Sequence, residues 1–430
     1  MSEPAAVVHV ELGGVTRLVG RLYVTSARGR PEASTLRYDP SWVNSPDSFA
    51  LEPALTLSTA PHYTAPGRAL FGPMGDSAPD RWGQTLLRRD ERHRARAEGR
   101  APRTLRDIDF LLGVTDSIRQ GALRFTTKPD GPFVAPDGSG VPPLVDLPRL
   151  LAASERFLAN EESAEDLRLL LAPGSSLGGA RPKASVRDAS GALQIAKFPK
   201  RDEDDDYRVV VWEAIALTLS HAAGIDTARH RLETIAGREV LILPRFDRVA
   251  VGVATRRVPY LSAMSLLGAG DGESRSYPEI ADAIRRHGAA AREDLRELWR
   301  RMVFTVLISN TDDHLRNHGF LYDGPAGWRL SPAYDLNPVP VDLKQRMLST
   351  ALGLDEDLTA SLDIALESAT YFGLTGAEAR RIAAEVAGVV ATWRTVAQQH
   401  GATAGEIDRM ASAFDHADLT HALALSTAAP

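Results

Sequence analysis

Between Leu295 and Leu307 the residues Leu295, Leu298, Trp299, Met302, Val303, Val306 and Leu307 follow the i, i+3, i+4, i+7 spacing of an amphipathic helix, with Arg296, Glu297, Arg300 and Arg301 on the opposite face. This core helix runs straight into ISNTDDHLRNHG, residues 308–319. That segment holds two amides (Asn310, Asn317), two adjacent acids (Asp312, Asp313) and two histidines (His314, His318). A buried helix that ends in so dense a polar cluster delivers the cluster to a fixed place.

The rest of the chain bounds what such a cluster can serve. A length of 430 residues suggests two or three structural units. Apolar residues at 43% and charged residues at 25% are an ordinary globular balance, enough for a sizeable core. The net charge of -6 gives no global pull toward nucleic acid. With no cysteine there is neither a disulfide framework nor a thiolate metal site. The N-terminal MSEPAAVVHVELGG lacks the basic and apolar regions of a secretory signal, and no run of 18 apolar residues occurs, so a cytoplasmic protein without a membrane span is expected.

Period-two patterns in Val8–Leu12 and Leu18–Val24, around Gly13-Gly14, predict a hairpin. Helical signals begin at Pro79–Gly83 and run through Leu86-Leu87. The arginine-dense piece from Arg88 to Arg103 reads as a solvated helix face rather than a nucleic-acid patch, because no aromatics interleave it. The Pro/Gly-rich stretch Pro129–Pro143 marks a boundary. Helices over Pro148–Leu158 and Ser163–Leu171, strands over Lys183–Arg187 and Leu193–Phe198, a helix over Val209–Ala223 and a strand over Glu239–Leu243 follow. Beyond Phe246 the pattern is mainly helical, except for a hairpin signal where Phe320–Tyr322 and Trp328–Leu330 flank DGPAG. The expected units are 1–128, β-rich with helices; 144–245, carrying a phosphate loop and a lysine; and 246–430, mainly helical.

Residue order then narrows the chemistry. Asp312, four residues, Asn317, a hairpin and Asp335 within AYDLNP reproduce the order of a kinase catalytic loop and its metal-binding aspartate. One carboxylate, Asp312, would accept or orient the substrate hydroxyl proton. An amide and a carboxylate, Asn317 and Asp335, would hold Mg²⁺, a hard cation that prefers oxygen ligands. Asp313 is assigned no role beyond loop solvation. His314 and His318 stand four apart, as in a helical zinc pair, but no Glu follows His314 and the strand signal after Gly319 ends any helix. His314 either reaches a nucleotide phosphate or satisfies the loop backbone. GSSLGG, residues 174–179, lacks the Lys-Ser/Thr of a P-loop. Leu193, Ile195 and Lys197 share one strand face, where the lysine needs an anion, and Glu213 on the next helix is its candidate partner. The run from Leu241 to Phe246 is the crossover at which backbone groups can meet adenine.

SSLGGARPKA, IAKFP, LPRFDR, NTDDHLRNHGF and SPAYDLNP, in this order, resemble the HipA family of serine/threonine kinase toxins, and APDRWGQTLL resembles that family's N-terminal subdomain. The resemblance covers nearly the whole chain. It implies an α+β fold, two-lobed and protein-kinase-like, with an N-terminal β-rich subdomain and a mainly helical C-terminal lobe. It implies ATP and Mg²⁺ as cofactors and Asp312 as the catalytic aspartate, with Asn317 and Asp335 at the metal. Lys197 would contact the ATP phosphates, and Pro244, Arg245 and Phe246 would line adenine. Gly178, Gly179, Ala180, Arg181, Pro182 and Lys183 would form the phosphate loop, and Tyr334 would join the nucleotide site. Ser176 matches the autophosphorylated serine, with Ser175 beside it as a second hydroxyl. The implied partners are a small helix-turn-helix antitoxin and a protein substrate, with aminoacyl-tRNA synthetases as the candidate class. DNA would be reached only through the antitoxin. Two alternatives stand beside this reading: a small-molecule or lipid kinase on the same scaffold, and a catalytically silent antitoxin-binding member.

Overall fold

The computed structural model describes residues 3–26, 32–134, 140–174, 181–200, 207–252 and 254–425. The chain forms two compact units: residues 1–201 with 233–261, and residues 202–232 with 262–430. Both sides of the Pro129–Pro143 stretch therefore lie in the first unit, and the helix Val209–Ala222, expected beside the lysine strand, lies in the second.

The first unit begins with a five-stranded antiparallel sheet in the order His62–Tyr63, Ala33–Tyr38, Val15–Thr25, Ala6–Leu12, Leu123–Thr126. The expected hairpin is present, with Leu12 opposite Val15. Its two-residue loop needs positive φ at both positions, and Gly13 (+58°) and Gly14 (+87°) supply it. A second sheet runs Lys183–Arg187, Leu193–Lys197, Arg238–Pro244, Arg231–Ile235. Alternation splits its residues between two faces. Ala184, Val186, Ala196, Val240 and Ile242 pack with Trp82, Leu86, Leu150, Phe157 and Leu170 from the helices Arg81–Ala97, Leu147–Leu158 and Ala164–Gly174. The other face carries Lys183 opposite Lys197, Ser185 opposite Ile195, and Leu241 and Leu243 opposite Lys197 and Ile195 on the far side. Lys197 thus shares a face with apolar neighbours, as its strand pattern predicts.

The stretch after Phe246 departs from the helical expectation. Arg248–Val251 and Ala254–Arg257 pair as a hairpin within the first unit. Val249 and Val251 are 47% and 40% exposed, so there is no inward apolar stripe for sequence periodicity to report. Asp247, just before this hairpin, is buried beneath Arg245 and Arg248: Arg245 Nε and Nη2 reach its carboxylate at 2.7 and 2.6 Å, Arg248 Nη1 at 2.8 Å, and Gly121 N donates to it at 2.7 Å.

The second unit is helical around Ala291–Leu307, which is buried throughout its last two turns from Arg301 to Leu307. The helices Tyr277–His287 and Gly376–Val390 pack on it. Both start with capping boxes, Ser276 with Glu279 and Thr375 with Glu378, which satisfy their first free amides. The hairpin expected near residue 320 joins Gly319–Tyr322 to Trp328–Leu330, with Phe320 opposite Leu330. Among the described residues no helix is long and apolar enough to cross a membrane.

Candidate active site

The helix Ala291–Leu307 stops because Ser309 takes φ +51°, after which Asn310 N closes back on Thr305 O at 3.0 Å. Left-handed backbone is costly for a residue with a side chain, and this one is over-determined. Ser309 Oγ donates to Ala413 O (2.8 Å) and accepts from Arg346 Nε (3.0 Å).

From there the loop backbone is pinned at nearly every step. Lys344 Nζ and Ser349 Oγ donate to Thr311 O at 2.8 and 3.0 Å. Thr350 Oγ1 donates to Asp313 O at 2.7 Å. Asn317 Nδ2 donates to Asp312 O at 3.0 Å, and Ala263 N to His318 O at 2.7 Å. Within this frame Asp312 alternates with its neighbours. Thr311 and Asp313 are buried, while Asp312 is exposed and its carboxylate meets no ion-pair or hydrogen-bond partner among the described residues. A fixed backbone that presents one free carboxylate is the geometry a proton acceptor needs.

Asp313 corrects the sequence reading, which gave it only loop solvation. Its side chain is buried, accepts a hydrogen bond from the Tyr277 hydroxyl, and lies 3.3 Å from His318 Nε2. Burial pushes its carboxyl up, but the charge of His318 and the hydrogen bonds from His318 and Tyr277 outweigh it and hold it below the usual range. Burial beside this carboxylate also pushes the Tyr277 hydroxyl well above its ordinary value. His318 is therefore turned inward onto Asp313, and Leu315–Asn317 is a 3₁₀ turn, so His314 and His318 do not form a helical zinc pair. Tyr277 lies 36 residues from Asp313, and no local pattern announces such a pair. Asp313→Asn is expected to destabilise the protein by about 1–3 kcal/mol, because a neutral amide is a weaker acceptor for the Tyr277 hydroxyl and gives up the attraction to His318; urea unfolding reads the loss.

Asp335 is tied to the same loop on both sides. Tyr334 Oη donates to Arg316 O at 2.6 Å, and Asn337 N donates to Asn310 Oδ1 at 3.3 Å. Between these ties Asp335 adopts φ +58°, and Asn337 Nδ2 donates to its Oδ1 at 3.3 Å. Strained backbone of this kind marks sites where a side chain must be aimed. The donor set fits Mg²⁺. Asn317 spends its amide nitrogen on Asp312 O, so its Oδ1 would be the atom to meet a cation, and Asp335 would add a carboxylate. Among the described residues no three His, Asp or Glu side chains gather at metal-binding distance. Mg²⁺ takes few protein oxygens and completes its shell with phosphate and water, so two ligands suffice.

In the first unit Lys183 is buried, with Nζ 3.1 Å from Asp80 Oδ2. Asp80 also caps the helix Arg81–Ala97 through Gly83 N at 2.7 Å, and Trp82 Nε1 donates to Lys183 O at 3.1 Å. The APDRWG segment thus holds Lys183 by both its backbone and its charge, a tie across 103 positions that sequence could not show. Pro182 O accepts from Phe198 N (2.9 Å), which keeps Arg181 and Pro182 beside the lysine strand. Arg245, expected at adenine, has its polar side chain committed within the first unit. Its guanidinium is turned onto Asp247 and Ile118 O (3.0 Å), and its amide onto Leu193 O (3.1 Å), so only its carbonyl is left for a nucleotide. Pro244 and Phe246 are half-buried beside it. Ser175, Ser176, Gly178, Gly179 and Ala180 lie outside the described residues.

A family model described as HipA-like C-terminal domain matches residues 175–393, half of the chain. The chain belongs to the HipA-like C-terminal domain family. Among HipA-like relatives, one from Haemophilus influenzae named "Putative kinase" is 25% identical over 208 residues, covering 44% of this chain and 61% of that protein. "Putative kinase Y4mE" of Sinorhizobium fredii is 25% identical over 327 residues, 70% of each chain. A Shewanella oneidensis structure of HipA and HipB with operator DNA matches with a TM-score of 0.64 and 18% identity, over 98% of this chain and 96% of that one. The fold is therefore the HipA-like, two-lobed α+β fold.

Proposed function

We propose that the protein is an ATP- and Mg²⁺-dependent serine/threonine protein kinase, the toxin of a toxin–antitoxin pair acting in the cytoplasm. The observation that carries this reading is the loop from Ser309 to His318: its backbone is locked, Asp312 is exposed at its tip, and Asp335 is tethered to it from both sides. HipA-like relatives named as kinases support it.

Asp312 accepts the proton of the attacking hydroxyl during in-line transfer of the γ-phosphoryl group. Asn317 and Asp335 hold Mg²⁺, which when bound neutralises charge on the phosphates. Lys197 meets the phosphates from its strand. Pro244, the Arg245 carbonyl and Phe246 border adenine. His314 and Tyr334 flank the nucleotide, and Gly178–Lys183 cover the phosphates. Most of the rate enhancement comes from positioning and from fixed charge. Ser176 is the site of autophosphorylation and self-inactivation. A small helix-turn-helix antitoxin is the partner and reaches DNA on behalf of the pair, in keeping with the HipB and operator DNA of the Shewanella structure. Aminoacyl-tRNA synthetases are the candidate substrates.

The test is incubation with Mg²⁺ and γ-labelled ATP, followed by phosphosite mapping. Label on Ser176 supports the reading. No label with ATP still bound favours a small-molecule kinase, and no label without ATP binding favours a silent antitoxin-binding protein. Asp335→Ala should reduce Mg²⁺-dependent nucleotide affinity by about tenfold or more, the loss of one charged ligand; calorimetry with and without Mg²⁺ that gives equal affinities for the variant and the wild type would remove Asp335 from the metal site.

A further inference from the structure

The kinase reading makes no use of the helix Arg81–Ala97 beyond its cap. The segment from Arg81 to Arg106 holds nine arginines against three acids, Asp90, Glu91 and Glu98, in a chain whose net charge is -6. The structure shows where the acids go. Asp90 pairs with Arg94 at 2.7 Å, Glu91 with Arg100 at 2.6 Å, and Glu98 with Arg100 at 2.5 Å. Arg103 and Arg106 are held by Asp109 at 3.2 and 3.5 Å, and Arg89 by Glu162 at 2.9 Å.

Arg81, Arg88, Arg92 and Arg96 remain. All four are exposed, and among the described residues none meets a carboxylate. Arg88 donates only to the neutral Gln84 Oε1 at 3.0 Å, above the Phe110 ring. Their spacing puts all four on one face of the helix, turned away from the buried Trp82, Gly83 and Leu86. From Arg88 the rungs climb about 6 Å at a time, so the guanidinium ladder spans roughly 12 Å to Arg96. Like charges at i, i+4 weaken a helix, and a polyanion laid along the ladder removes that cost.

Against the reading of this segment as a merely solvated face, we propose that the arginine face is a docking surface for the phosphate backbone of a nucleic-acid duplex, adding non-specific contacts to those the proposed antitoxin makes. A regular polyanion offers each rung a phosphate, and guanidinium groups bind phosphate with paired donors. No aromatic side chain is exposed on the helix, since Trp82 is buried, so there is nothing for unpaired bases to stack on. Backbone contacts position a protein on nucleic acid without reading its sequence, so this face adds affinity and orientation rather than specificity.

The experiment is fluorescence anisotropy of the full chain with a labelled DNA duplex of arbitrary sequence, across about 50 to 200 mM salt. Wild type should bind with a log affinity–log salt slope of about −3 to −4, one phosphate per free arginine. The variant Arg88→Gln/Arg92→Gln/Arg96→Gln keeps the side-chain stems and should flatten that slope by about 3. Arg92→Lys/Arg96→Lys, which keeps the charge, should retain most of the binding. Circular dichroism melts check that each variant is folded; if the triple variant is not, Arg92→Gln/Arg96→Gln is read in its place, with a flattening of about 2. The proposal is overturned if the folded variant binds with the wild-type slope, if wild type leaves the duplex unbound, if a single strand of the same length binds better, or if polyglutamate binds and the duplex does not, which would point to an acidic protein. None of these residues belongs to the proposed nucleotide site, so γ-phosphoryl transfer by the variants should be unchanged, and the two readings fail separately.

Discussion

Asp312→Asn is expected to lower phosphoryl transfer by about 100- to 10,000-fold while ATP binding is kept, the range that loss of a positioned general base produces. The asymmetry follows from geometry. Asp312 contributes its carbonyl to the loop, accepting from Asn317 Nδ2 at 3.0 Å and from His314 N at 2.9 Å, and an asparagine keeps that carbonyl. Its side chain is exposed and holds nothing else in place, so its removal leaves the neighbouring ligands where they were. Autoradiography of the wild type and the variant side by side gives the rate, and a nucleotide titration gives the affinity. Equal loss of both would make Asp312 a structural residue, and retained transfer would remove it as the base.

Asp247→Ala is expected to cost about 3–5 kcal/mol of stability, because it strands two buried guanidinium groups and leaves Gly121 N without its acceptor. Burial pushes the Asp247 carboxyl up, yet Arg245 and Arg248 overcome that and hold it well below the usual carboxylate range. A depressed folded-state value stabilises above the unfolded value and is lost as pH falls through it. The wild type should therefore lose this contribution below about pH 4 and the variant should not, so their stabilities should converge in acid. Thermal melts from neutral pH downward measure the gap; a gap that stays constant with pH would mean that packing, not charge, made the difference.

What each level of description could reach differs by the range of the forces involved. Apolar periodicity is local, so Leu295–Leu307 is legible as a core helix from its spacing, and the two hairpins announce themselves through Gly13-Gly14 and DGPAG. The order Asp312, Asn317, Asp335 is legible too, because the proposed proton acceptor and hard cation would require those functional groups wherever the chain lies. The hairpin Arg248–Arg257 was not legible, since its valines face solvent and leave no inward stripe. Nor were the partners of buried charge. Asp313 finds Tyr277, Lys183 finds Asp80, and Arg245 finds Asp247 and Ile118 only when distant segments are brought together. A buried charge must be paired at any sequence distance, and no period or spacing encodes which residue will do it. By itself the sequence determined the chemical groups of the site and the helix that presents them. Tertiary structure alone decided which charges are spent on holding the fold and which, such as Asp312 and the arginine face of Arg81–Ala97, remain exposed to act.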